Sequence, residues 1–149
     1  MKTFAILLVS TVLWSSTAAA KCIPMEEAEK RIGDQACVTG KVVKVAQSKA
    51  GTFFLNFCEK YQDCPFTVVV FPSNLKDVGD VRELEGKMIE IWGRITIWRG
   101  HAEIVLRDAH QLKGEAAKLP PVPKEYDAER KGKFSPKAPK PSHDNAPPQ

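Results

Sequence analysis

Between residues 35 and 107 apolar positions recur mostly at every second residue, the period of strands that face a core on one side. Five segments carry it: "ACVTGKVVKVAQ", "TFFLNFC", "FTVVVF", "KMIEIWGRITIW" and "HAEIVLR". "SKAG" (residues 48–51) reads as a hairpin connection between the first two, and Arg99-Gly100 as a turn between the last two. Gly40 and Gly93 stand mid-strand, where glycine marks a bulge or bend that lets a sheet curl. Alternation predicts that Phe53, Leu55, Phe57, Phe66, Val68 and Val70 point inward. Phe54, Asn56, Cys58, Thr67, Val69 and Phe71 then point outward. On the fourth strand Trp92, Arg94 and Trp98 share one parity, against Ile89, Ile91, Ile95 and Ile97.

Before the strands the period is helical. In "PMEEAEKRIGD" (residues 24–34) Pro24 suits the first position, Glu26 and Glu27 the positive end, Lys30 and Arg31 the negative end, and Gly33 the stop. Met25, Ala28 and Ile32 form the stripe expected to be buried. Between strands three and four, Asp80 and Glu83 fit a capping box and Gly86 a stop, predicting a turn or two of helix.

The two ends follow neither period. Residues 1–20 combine Lys2, an apolar centre and a closing Ala18-Ala19-Ala20, the pattern of a secretory signal peptide. The apolar stretch is shorter than the roughly 20 residues a membrane span requires, and Lys21 before Cys22 departs from a lipoprotein signal. No later segment is long and apolar enough to span. Residues 113–149 hold eight of eleven prolines and few large apolar residues, and are expected to be a disordered Pro/Lys-rich tail. Charge separates the same way. Residues 21–112 carry thirteen basic and thirteen acidic side chains, whereas the tail carries eight and five. The expected organisation is a signal peptide (1–20), a helical segment (21–34), a β domain (35–112) and the tail (113–149).

A signal peptide implies an oxidising, secreted or periplasmic setting, where four cysteines predict disulfides. Three connectivities exist; proximity favours Cys58–Cys64 across one loop and Cys22–Cys37 at the N-terminal end. Zinc is the competing reading, but no C-x-x-C pair is present, and His101, His110 and His143 lack ligand spacing. The gap between Cys58 and Cys64 also differs from a thioredoxin-like redox pair.

Three strands, a short helix and two more strands, with glycines inside the first and fourth, is the order of a five-stranded OB-fold barrel. The segments "VTGKVVKV", "GTFFLNF", "FTVVVF" and "LEGKMIEIWGRITIWRGHAEIVL" resemble the OB-fold domains related to the anticodon-binding barrel of class II tRNA synthetases, and secreted bacterial single-domain versions of it. The resemblance covers residues 35–112. It implies a nucleic-acid site on the outer face of strands two and three, with Phe54 stacking on a base and Asn56 hydrogen bonding beside it.

Outward parity adds Thr67 and Phe71 to that surface. Trp92, Arg94, Trp98 and Arg99 could stack and pair with phosphates, or form a surface cation–π cluster. Phe54 and Phe71 could equally cover a flanking element. Lys41, Lys44, Arg94 and Arg99 are the candidate basic stripe. The balanced charge and short loops imply weak binding at most, since phosphate affinity follows cationic side chains. No nucleophile with a spaced base stands out, so no enzymatic activity, cofactor or metal is expected. The expected partner is single-stranded nucleic acid; the alternative is an envelope protein, met by the barrel or the basic tail.

Overall fold

The computed structural model describes residues 21–124, 126–127 and 133–134. The expected signal peptide and most of the tail lie outside the described residues. What is described is mainly β. Strands β1 (Ile23–Pro24), β2 (Gln35–Lys41) and β6 (Met88–Arg94) form a three-stranded sheet, with β2 central. Strands β3 (Lys44–Gln47), β4 (Phe53–Asn56), β5 (Phe66–Val70), β8 (His101–Val105) and β7 (Thr96–Trp98) form a five-stranded sheet in that order. β5 and β8 run parallel and the other neighbours antiparallel. Short strands β9 (Tyr126–Asp127) and β10 (Lys133–Phe134) pair with each other.

The single five-stranded closed ladder expected from the sequence is corrected here. Each of the two long segments breaks into two strands, one per sheet, and the hydrogen-bonded ladder does not close. At the first break the Val42 N–H donates to the Lys87 carbonyl at 2.8 Å, and the Val43 N–H donates to the Asn56 carbonyl at 2.8 Å. Successive residues thus bond to opposite sheets. Ile95 makes the second break: its N–H donates to Asp34 at 2.9 Å, while Thr96 already pairs with Glu103. Such corners let one strand serve two faces of a small core without leaving backbone groups unpaired.

The mid-strand glycines each precede a corner by two or three residues, and close packing adds a second reason for them. Gly40 pairs regularly with Ile89, and Gly93 with Ala36. A Cβ at Gly40 would lie 2.7 Å from the Phe57 ring, and one at Gly93 would lie 2.6 Å from Ile104 Cγ2. Glycine is required there because buried side chains lie directly on the backbone.

The inward set holds: Phe53, Leu55, Phe57, Phe66, Val68 and Val70 are buried with Leu84, Ile89, Ile91, Ile95, Ile104 and Leu106. Ile97 departs from it, being 61% exposed, because the corner at Ile95 carries it beyond the core. The N-terminal helix forms as a 3₁₀ helix, Met25–Arg31. Three residues per turn align Met25 and Ala28 on the core, but not Ile32, which is 41% exposed. Gly33, at a φ of 93°, turns the chain so that its N–H donates to the Ile95 carbonyl. The expected turn at Asp80 is a 3₁₀ helix, Val81–Leu84, capped by Asp80 accepting from the Arg82 N–H. A helical turn, Leu75–Val78, precedes it.

The boundary expected at Leu112 is not where packing ends. A 3₁₀ turn at Gly114–Ala117 buries Ala116, and Leu119 and Val122 pack against the core. The Asp80 N–H donates to the Pro120 carbonyl at 2.8 Å. Tyr126, 9% exposed, then closes the strap against Phe53, with its ring 5.6 Å from the Arg82 guanidinium carbon and its hydroxyl accepting from Gln47 Nε2 at 2.7 Å. A few apolar anchors suffice to hold a Pro-rich stretch whose overall composition reads as solvated.

Candidate binding face

Pairing registers place the outer side chains of the five-stranded sheet in rows. One row is polar: Lys44, Asn56, Thr67, Glu103 and Thr96 stand side by side across β3, β4, β5, β8 and β7. The neighbouring row is apolar: Ala46, Phe54, Val69 and Val105. His101 and Trp98 continue the face beyond the polar row. Asn56, Thr67 and Val69 are buried in its floor, whereas Phe71 is 45% and Trp98 53% exposed.

Two adjoining depressions follow these rows. One, of about 270 Å³, is lined by Ala46, Phe54, Asn56, Tyr61, Trp98 and Arg99. The other, of about 230 Å³, is lined by residues that include Phe54, Val69, Phe71, Trp98 and Glu103. Each falls below the roughly 300–1,000 Å³ of ordinary small-molecule pockets. Sharing Phe54 and Trp98, they form an open aromatic trough, a shape suited to flat groups laid against side chains.

The disulfides are Cys22–Cys37 and Cys58–Cys64, the pairing favoured by proximity. The first ties β1 to β2 and, by constraining a fifteen-residue separation in the unfolded chain, is worth about 3 kcal/mol. The second staples the loop that carries Tyr61. His101 Nδ1–H donates to the Cys64 carbonyl at 2.7 Å, and the Tyr61 and His101 rings lie 4.8 Å apart. The staple thereby fixes Tyr61 as a wall of the trough. Cys22, Cys37 and Glu90 draw together, but the two sulfurs are bonded to each other and offer no thiolate to a metal.

Of the residues expected at the site, Phe54, Asn56, Thr67, Phe71, Trp98 and Arg99 converge on this face, with Lys44 at the end of its polar row. Arg99 adopts a φ of 49° and lays its guanidinium 5.4 Å from the Trp98 ring. Trp92, Arg94 and Lys41 do not join them. They lie on the three-stranded sheet, opposite Cys37, Gln35 and Met88, and Trp92 carries Lys113 at 5.9 Å from its ring. Shared parity failed to unite the Trp92, Arg94 and Trp98 edge because the corner at Ile95 intervenes.

Tyr61, His101 and Glu103 were not anticipated on this face. The alternation His101, Glu103, Val105 was a usable signal; Tyr61 arrives only through the disulfide. Burial pushes the Glu103 carboxyl up from its ordinary value, partly offset by a hydrogen bond from Thr96. Asp108 and His110 instead serve a turn: Asp108 accepts from the His110 N–H at 2.7 Å, in a capping box with Gln111. No protein-family model matches the chain, and no curated protein matches it in sequence. No helix among the described residues is long and apolar enough to cross a membrane.

Proposed function

We propose that this is a secreted or periplasmic binding module of OB type, whose trough takes short single-stranded nucleic acid by stacking. The OB reading is supported by the path of the chain. β2 and β3, joined at Val42–Val43, and β6 and β7, joined at Ile95, act as two bent strands shared by both sheets. With β4, β5 and β8 they make five strands in an OB-like order. The two disulfides are compatible with an oxidising compartment.

One observation carries the functional reading: Phe54, Phe71 and Trp98 surround a single trough with Arg99 at its rim. Aromatic faces accept any base, at about 1–3 kcal/mol per base stacked. Arg99 and Lys44 are cations placed to meet phosphates, and their small number keeps affinity modest.

Titrating the protein with short single strands, followed by tryptophan emission, tests this. With two phosphates neutralised, log affinity should fall against log salt with a slope of about −1.4. Trp98→Ala should weaken binding by about 5- to 150-fold, and Trp92→Ala should leave it unchanged. No response from wild type, or equal effects of the two substitutions, refutes the reading. The second reading, an envelope-protein docking module, draws on Ile97 exposed on edge strand β7. Such an edge can accept a partner strand. Ile97→Lys would abolish that docking and leave strand binding intact.

A further inference from the structure

Glu103 stands at the centre of the candidate face, between Thr67 on β5 and Thr96 on β7. An ionised carboxylate only accepts hydrogen bonds and has about four lone-pair sites to fill. Its neighbours scarcely fill them. Thr67 Oγ1 lies 3.1 Å from the Leu55 carbonyl and 3.4 Å from Asn56 Oδ1. Thr96 Oγ1 reaches Glu103 Oε1 at 3.5 Å and the Glu103 carbonyl at 3.4 Å, with one proton to share between them. Among the described residues Glu103 forms no ion pair, unlike Asp34 with Arg31, Asp80 with Arg82, Asp108 with His110 and Glu115 with Lys118. A half-buried acceptor thus lines the same depression as Phe54, Phe71 and Trp98.

A base stacked on Phe54 or Trp98 can turn its hydrogen-bonding edge toward this carboxylate. Thymine and uracil present one N–H flanked by two carbonyl oxygens that the carboxylate repels. Cytosine and adenine present one amino group beside a ring nitrogen that is itself an acceptor. Guanine alone presents two adjacent donors, N1–H and the 2-amino group, which match two carboxylate oxygens in a bidentate pair. Phosphate is disfavoured beside Glu103 and belongs at the Arg99 rim.

Resting on the stacking reading of this trough, we propose that Glu103 makes it selective for guanine, with the carboxylate accepting from N1–H and the 2-amino group. The site therefore prefers guanine-bearing single strands over thymine-bearing ones. A free guanine nucleotide offers the same edge and is the other source of this chemistry.

The test uses the full chain and short thymidine oligomers carrying one central guanine, inosine, cytosine or thymine, read by fluorescence anisotropy. Inosine keeps N1–H and lacks the 2-amino group. Guanine should bind about tenfold more tightly than inosine or thymine, and Glu103→Gln should bring the three to within about twofold of one another. Guanine and inosine within twofold, with the oligomers still binding and still sensitive to Trp98→Ala, overturns the selectivity and leaves the stacking reading standing. Failure of every oligomer to bind overturns both. Guanosine monophosphate competing as tightly as the guanine oligomer assigns the site to a free nucleotide; weaker competition assigns it to a strand. Because inosine perturbs the ligand alone, the comparison stands even if Glu103→Gln lowers stability.

Discussion

Substituting Gly93 by alanine places a methyl group where the core has no room for it. The added Cβ would stand 2.6 Å from Ile104 Cγ2 and 3.2 Å from Gln111 Nε2. Carbon atoms in contact prefer about 3.5–4.0 Å, so Ile104, fully buried, must yield by roughly 1 Å. Overpacking of this kind costs about 1–3 kcal/mol. Replacing glycine within a strand returns about 0.5–1 kcal/mol through the smaller entropy of the unfolded chain. The expected net loss is therefore about 0–2.5 kcal/mol, or up to roughly 20 °C in Tm for a domain of this size. The displacement also strains Gln111, whose Nε2 donates to the Trp92 and Val105 carbonyls at 3.1 Å each. Urea unfolding of the oxidised protein gives the number, and Ile104→Ala completes a cycle. Alone, Ile104→Ala should lose about 2–5 kcal/mol. Joined with Gly93→Ala it should lose at least ~1 kcal/mol less than the sum, because the cavity accepts the new methyl. Additive losses in the cycle would refute close approach as the reason for glycine here.

Tyr126→Ala should release the strap, with a loss of up to about 3–5 kcal/mol, as for other buried aromatics, and expose residues 113–126 to limited proteolysis; unchanged cleavage would show that the strap is held elsewhere. Asp80 governs part of the acid response. Burial alone would raise its carboxyl pKa, but hydrogen bonds and charge from Arg82 outweigh this and hold it below the ordinary value. A carboxylate depressed in the folded state contributes stability above its unfolded pKa, and that contribution is lost as pH falls through the folded pKa. Asp80→Asn should therefore lower the urea midpoint at neutral pH and flatten its decline in acid. A parallel acid decline in both proteins would count against the Arg82 pairing.

Local pattern carried far in this chain. Period-two alternation placed Phe53, Leu55, Phe57, Phe66, Val68 and Val70 inside, since parity within one unbroken strand decides which face a side chain joins. The short separations of Cys58 from Cys64 and of Cys22 from Cys37 favoured the observed pairing, and Gly33, Gly86 and Gly100 end or turn their segments at positive φ. The aromatic face was partly legible as well, because Phe54, Asn56, Thr67 and Phe71 lie on two adjacent strands. Of the Trp92, Arg94 and Trp98 edge, Trp98 alone reaches that face, because it lies on β7 beyond the corner.

Tertiary structure decided the rest. The corners at Val42–Val43 and Ile95 exist because two sheets share one core; Gly40 and Gly93 flag the two segments that bend, but not the residue at which each changes partners. Those corners separate Trp92 from Trp98 and expose Ile97, while the pairing of β5 with β8 sets Glu103 in the depression it shares with Phe71 and Trp98. Tyr61 enters through a covalent staple, and Tyr126 through contacts with Phe53 and Gln47, more than seventy positions earlier in the chain. Residue identity and spacing determine what each segment prefers by itself. Which segments become neighbours depends on long-range burial, and that gathered Phe54, Tyr61, Phe71 and Trp98 on one outer face.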